Sequence, residues 1–278
     1  MEIWLFTLAT CATSFLAGVL GSLTGLGGGV VLIPLLTLVF RVDLRYAMGA
    51  SLVSVIATSS GAAAAYVKEG FSNIRIGMFL EVATTSGALG GAILATRVST
   101  NVLALVLGIV LVGSAYLSRK PRSPQEREVR LDALATRLKM NGALPEAEGI
   151  RAYNVTHVPL GFVLMLGAGA LSGLLGIGSG AMKVLAMDRA MKIPFKVSTT
   201  TSNFMIGVTA AASAGIYLER GYIEPGLAMP VVLGVLAGSV LGTRILARGQ
   251  TPWLRVLFSL VIAALGAELI LRGMHGRI

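Results

Sequence analysis

Apolar and polar positions fall into long blocks along this chain. Apolar runs at 3–24, 46–66, 76–96, 101–118, 157–175, 197–217, 226–247 and 253–271 are separated by short charged stretches. About 20 consecutive apolar residues make a helix long enough to cross a bilayer, so each run is predicted to be a spanning helix. Two shorter apolar segments, 30–40 and 181–187, each follow a glycine cluster and are predicted to be half-helices or short return segments. From Arg119 to about Thr156 the chain turns polar, with Pro121, Pro124, Asn141-Gly142 and Pro145. Within it Val129, Leu131, Leu134 and Leu138 recur at near-helical spacing, which predicts a short surface helix between Gln125 and Lys139. The pattern divides the chain into a first membrane block at 1–118, a polar cytoplasmic linker at 119–156 and a second membrane block at 157–278.

Composition agrees with this division. Of 278 residues, 55% are hydrophobic and 13% charged, with a mean hydropathy of +0.81. A soluble domain carries about 25% charged residues. The chain therefore reads as an all-α polytopic membrane protein of the cytoplasmic membrane, with the lipid bilayer as its surroundings. A net charge of +10 orients the loops of such a protein and does not call for nucleic acid. The single cysteine, Cys11, excludes an internal disulfide, and His157 and His275 are not spaced as metal ligands. No metal or cofactor is expected. The Met1-Glu2 flank is not basic, so residues 3–20 are expected to stay as a helix and not to be removed as a signal peptide.

The two blocks repeat each other at a constant offset of 151 positions. Gly18 matches Gly169, Gly25, Gly27 and Gly29 match Gly176, Gly178 and Gly180, and Ser51 matches Ser202. Thr58 matches Thr209, Tyr66 matches Tyr217, Gly87 matches Gly238, and Arg97 matches Arg248. If the short segment after each glycine cluster turns the chain back, each repeat crosses an odd number of times and the copies are inverted. Cytoplasmic loops are enriched in Lys and Arg. With the linker inside, and leaving it and Lys183 out of the count, the inverted arrangement puts eight Lys and Arg inside against six outside. A parallel arrangement puts five inside against nine outside. The predicted fold is two homologous repeats of inverted topology, each a glycine-broken helix hairpin followed by three spanning helices, with both termini outside the cytoplasm.

The glycine clusters are the candidate site. Gly25-Leu26-Gly27-Gly28-Gly29 and Gly176-Ile177-Gly178-Ser179-Gly180 each interrupt an apolar run. A broken helix at membrane depth is tolerated where the backbone is buried in protein or lines a cavity, and matched breaks in two halves point to a binding site. Free N–H groups at the start of each half-helix favour an anion. Lys183, in the first turn after Gly180, is expensive in such a place unless an anion lies beside it. The polar neighbours are Thr24, Ser51, Ser179, Ser202 and Asn203. Close helix packing is the competing role of the glycines, and bonding to neighbouring helix backbones that of the hydroxyls. Glu81 is a further charge within a span. It is a candidate proton carrier, although its distance from Arg75 of about a turn and a half favours an interfacial ion pair.

On these features the chain resembles the TauE/SafE family of sulfite and sulfonate exporters. The resemblance rests on the duplicated glycine-rich break, the roughly eight-helix layout and the charged central linker, and covers about 1–118 and 155–272. It implies secondary transport of small sulfur-containing anions such as sulfite, sulfoacetate or related organosulfonates, driven by a proton gradient. The second copy has Ser179 in place of a glycine, and Leu185 where the first has Pro34, so the two copies are not equivalent. A passive anion channel, or a membrane assembly factor for which Lys183 is dispensable, shares the same pattern. An intramembrane serine enzyme does not, because Ile177 stands where such a motif needs glycine and no later span carries a histidine. A homo-oligomer is compatible with the pattern.

Overall fold

The structure, a computed structural model, describes residues 3–24, 29–68, 72–119, 132–146, 149–247 and 252–276. In the first block the helices are α1 (Ile3–Thr24), α2 (Gly29–Leu38), α3 (Leu44–Lys68), α4 (Ile74–Arg97) and α5 (Thr100–Arg119). The linker contains α6 (Ala133–Arg137) and an antiparallel hairpin of β1 (Gly142–Glu146) and β2 (Gly149–Tyr153), with Gly142 opposite Tyr153. The second block contains α7 (Val158–Leu175), α8 (Gly180–Leu185), a π-helical turn at Ala186–Ala190, α9 (Phe195–Glu219), α10 (Pro225–Ala247) and α11 (Pro252–Met274). Helix boundaries follow the apolar runs to within a few residues. Among the described residues, α4 and α7 and segments of α1 and α10 are long and apolar enough to cross a membrane.

Local sequence accounts for the helix ends. Asn73 caps α4, its side chain accepting from the Ile76 N–H at 3.2 Å. Pro159 stands in the first turn of α7, where its missing N–H is harmless. Gly176, at φ +69°, closes α7 in the left-handed conformation that glycine adopts without penalty.

Two parallel helix pairs form the closest contacts, through glycine. On α1 and α10, a Cβ on Gly18 would collide with the Val235 carbonyl, and one on Gly238 with that of Phe15. On α7 and α4, a Cβ on Gly169 would collide with the Thr84 carbonyl, and one on Gly87 with that of Leu166. Each of these contacts has its counterpart 151 positions away. Small residues let membrane helices approach backbone to backbone, which is where their association gains its van der Waals contact.

The loops gather at two ends of the bundle, joined by α4. At one end Arg45 Nη2 donates to the Val98 carbonyl at 2.7 Å, and its guanidinium lies 5.5 Å over the Tyr222 ring. At the other end the linker is tied down. Asp132 Oδ2 accepts from Val158 N–H at 3.1 Å, and Asn73 Nδ2 donates to the Met140 carbonyl at 3.0 Å and to Tyr153 Oη at 2.8 Å. Burial pushes the Tyr153 phenol above its ordinary range.

The linker helix differs from its expected form. It spans five residues, and Leu134 and Leu138, expected on its apolar face, are exposed, whereas Ala135 and Met140 are buried. Val129 and Leu131 lie outside the described residues. The physical reason is the register set by Asp132, which caps the helix through Leu134 N–H at 2.8 Å and points Ala135 inward. Ala135, Met140 and Val155 pack with Ile76, Leu80, Met187 and Val197 in a second core distinct from the one around α2 and α3.

Candidate functional site

The second glycine break is buried within the bundle. Gly176, Gly178 and Ser179 all have positive φ, of +69°, +75° and +44°. For the two glycines this conformation is easy; for Ser179 it costs about 1–2 kcal/mol. Ser179 is 4% exposed, and its hydroxyl has no partner among the described residues. After the break the chain heads back toward the linker, since Met191 O accepts from Thr156 N–H at 3.0 Å.

Hydroxyls from two neighbouring helices brace the break. Ser51 of α3 donates to the Gly176 carbonyl at 2.9 Å, and Ser202 of α9 donates to the Gly180 carbonyl at 3.3 Å. Gly29, which opens α2, sits against Ser51 and Val55. Its counterpart Gly180 sits against Ser202 and Ile206, the residues 151 positions later. A Cβ on Gly29 would also stand 3.7 Å from Gly176 O, so the start of α2 and the second break meet. In this arrangement the one proton of each serine hydroxyl is used on backbone. Asn203 is half-buried. The Thr24 side chain and all of Gly25, Gly27 and Gly28 lie outside the described residues.

Lys183 is completely buried. It lies on α8, three residues past Gly180, and Nζ donates to Thr209 Oγ1 of α9 at 2.5 Å. Thr209 Oγ1 lies 2.7 Å from Glu81 Oε1 of α4, to which it can donate, and 2.9 Å from its own helix carbonyl of Met205. Thr85, one turn along α4, also donates to Glu81 Oε1, at 2.9 Å. Glu81 Oε2 is buried without a partner among the described residues. A cation and a carboxylate, each from a different helix, are thus joined inside the bundle through one hydroxyl.

This corrects the expectation for Glu81. It is 8% exposed and makes no ion pair with Arg75, whose Nη1 instead donates to the Lys139 carbonyl at 3.3 Å. Position 81 of α4 faces inward, on the same side as Leu80, Ala83 and Thr84, whereas Arg75 is exposed at the end of the helix. Thr209 and Thr85 were not singled out in the sequence. The available signals were weak: the match of Thr209 to Thr58 across the repeats, and the four-residue spacing of Glu81 and Thr85. The cluster exists in one copy only. Positions 32, 58 and 232, the counterparts of 183, 209 and 81, hold Leu32, Thr58 and Val232, and Thr58 bonds back to its own helix at 3.0 Å.

A cleft of ≈ 800 Å³ opens elsewhere, lined by Thr37, Arg41, Asp43, Glu268, Arg272 and His275 among others. None of the candidate site residues named from the sequence lines it. Among the described residues no group of three His, Cys, Asp or Glu is placed to hold a metal.

Comparison with known proteins supplies the rest. The family model described as "Sulfite exporter TauE/SafE" matches residues 10–269. The chain is 27% identical over 267 residues to the "Probable membrane transporter protein YunE" of Bacillus subtilis, covering 93% of this chain and 95% of the relative. It is 26% identical over 231 residues to the "Probable membrane transporter protein YdhB" of the same organism, covering 83% and 86%. A probable membrane transporter protein of Methanocaldococcus jannaschii is 24% identical over 274 residues, covering 92% of each. No solved structure matches. With a family match across nearly the whole length and helices apolar enough to span a bilayer, the chain belongs to the TauE/SafE family of integral membrane transporters and is not an enzyme.

Proposed function

We propose that this protein is a proton-coupled secondary transporter of small sulfur-containing anions, such as sulfite, sulfoacetate or a related organosulfonate, in the cytoplasmic membrane. The observation that carries this reading is Lys183. A fully buried lysine beside a broken helix is a fixed positive charge where an anion would gain most from it, since a buried ion costs several kcal/mol unless it is paired. Glu81, the proton-carrying candidate, is joined to it through Thr209. The two glycine breaks, Gly25–Gly29 and Gly176–Gly180, with Ser179 and Lys183, form the proposed substrate site. Ser51 and Ser202 hold its backbone in place, and Asn203 lies next to Ser202 on the same helix.

The same reading takes the molecule as a multi-pass protein of two inverted repeats. Its support is the direction of the parallel pairs. Helix α7 starts beside the linker and runs alongside α4, whereas α1 runs alongside α10, which starts near Tyr222 and Arg45. The first helices of the two repeats therefore enter from opposite ends.

The deciding experiment is the thermal stability of purified protein and of Lys183→Gln with sulfite, thiosulfate, sulfoacetate, taurine, sulfate and chloride, at constant ionic strength and pH. A ligand at about a hundred times its dissociation constant stabilises by roughly 2.7 kcal/mol. The expected result is a rise in Tm with a sulfur oxyanion that is absent in the variant. No rise with any sulfur anion overturns the substrate class. Flux that neither saturates nor responds to a pH gradient overturns the transporter in favour of a channel.

A further inference from the structure

We propose that Glu81 is the resident counter-anion of Lys183, and that substrate anion and Glu81 carboxylate exclude one another, so that each anion enters with one proton. This rests on the reading of Lys183 as the anion-binding residue and adds the means of coupling.

The geometry has three parts. The two charges make no direct ion pair: Thr209 Oγ1 stands between them, accepting from Lys183 Nζ and lying within donating distance of Glu81 Oε1. Each end has capacity left over. Lys183 Nζ carries three N–H donors, and Thr209 Oγ1 is its one hydrogen-bond partner among the described residues. Glu81 Oε2 has none. Finally, among the described residues no third charged side chain is buried beside the pair. α7 carries no titratable residue; on the π-helical turn after α8, Asp188 is half-buried and Arg189 exposed; on α9, Lys196 and Glu219 are exposed near the two ends, and Tyr217 donates to the Gly173 and Leu174 carbonyls; on α4, Arg75 reaches out to Lys139. Among the described residues, Lys183 and Glu81 are the two charged side chains that are buried.

Without substrate, Glu81 is a carboxylate and neutralises Lys183 through the intervening hydroxyl. A proton delivered from water binds Glu81 at Oε2, the lone pair that nothing occupies, giving a neutral acid and leaving water behind. Lys183 is then a buried cation with free donors and no counter-charge, and a substrate anion takes that role. Departure of the anion reverses the order: the proton leaves Oε2 to water, and the carboxylate resumes its place opposite Lys183. Anion without proton would leave two negative charges against one positive, and proton without anion would leave an unpaired buried ammonium. Both are costly in this medium, which is what links the two movements.

Glu81→Gln is the test, because it keeps the shape and an acceptor for Thr209 while removing the charge. Methanesulfonate, a monoanion that stays ionised in both mild acid and mild base, is the probe. Calorimetry in two buffers of different ionisation enthalpy counts protons taken up on binding. The wild type should take up close to one proton per anion, and its affinity should rise about tenfold per pH unit on the alkaline side. The variant should take up fewer protons than the wild type and show a weaker loss of affinity as pH rises. Equal affinity in the wild type at both pH values, or the same pH dependence in the variant, overturns the proposal.

A second arm does not depend on the physiological substrate. With its internal counter-anion gone, Glu81→Gln should be stabilised by bromide over gluconate at equal ionic strength, and Glu81→Gln with Lys183→Gln should lose that response. Failure of sulfur anions to bind the wild type, together with a bromide response in Glu81→Gln, overturns the substrate class but keeps the exclusion. A variant without any anion response overturns the exclusion itself.

Discussion

Lys183 and Glu81 are held apart and connected by the same atom, the hydroxyl oxygen of Thr209, 2.5 Å from the ammonium and 2.7 Å from the carboxylate. Three helices meet there: α8 brings the lysine, α9 the threonine and α4 the glutamate. A small rotation of any of them would break one of the two bonds, so this junction ties the helix after the glycine break to the rest of the bundle.

Thr209 should therefore tolerate serine and not valine. Thr209→Val matches the shape but leaves two buried charged groups without a shared partner, at about 1–3 kcal/mol or more. Transport by Thr209→Val should fall at least about tenfold, and Thr209→Ser should restore most of it. Uptake into proteoliposomes, with Tm measured alongside, checks this.

Helix approach through glycine predicts stability changes away from the charges. A Cβ at Gly91 would meet the Ala170 carbonyl and crowd Leu174 N at 2.9 Å, and backbone cannot step aside as a side chain can. Gly91→Ala should cost about 1–3 kcal/mol through overpacking. Gly90→Ala, next to it, meets nothing within 4 Å and should leave Tm unchanged. Thermal denaturation in detergent distinguishes the pair.

The tie between linker and α7 should depend on pH. The Val158 N–H, and then those of Leu134 and Ala135, hold the Asp132 carboxyl below its ordinary value against an opposing contribution from burial. A group with a lowered folded-state value contributes stability above its ordinary range and loses it as pH falls through the folded value. Amide exchange at Val158 should thus accelerate, by about threefold or more, only in acid below the ordinary carboxylate range. In Asp132→Asn it should be faster at neutral pH and lose that acid dependence.

Topology has its own test. With inverted repeats, a reporter that is active only outside the cytoplasm should work when fused after Gly276 and fail when fused in the linker near Asn141. The same outcome at both places would put the two halves in parallel, whereas the reverse pattern would keep them inverted and turn the whole molecule over.

Much of the fold was legible along the chain because a bilayer imposes a length on apolar segments. The helix bounds at 74–97, 158–175 and 225–247 follow the runs at 76–96, 157–175 and 226–247. The second glycine break was legible for a related reason: clustered glycines cannot continue a helix without cost. Two things were not. The direction of Glu81 depends on the rotation of α4 about its own axis, which is fixed by backbone contacts of Gly87 and Gly91 with α7 and not by the spacing from Arg75. The inward face of the linker helix depends on Asp132, whose carboxylate caps the helix at Leu134 and is itself held by Val158, 26 positions away.

By itself, the sequence determined that this is a helical membrane protein with a duplicated, glycine-broken plan, and that Lys183 is out of place in it. Those are properties of single segments: length, composition and the energetic penalty of a charge among apolar residues. Only the tertiary structure decided what that lysine meets. Its partners Thr209 and Glu81 lie 26 and 102 positions away along the chain, on helices with no local preference for each other. They come together because α4 packs on α7 and α9, and a buried charge is stable only where such packing delivers a partner.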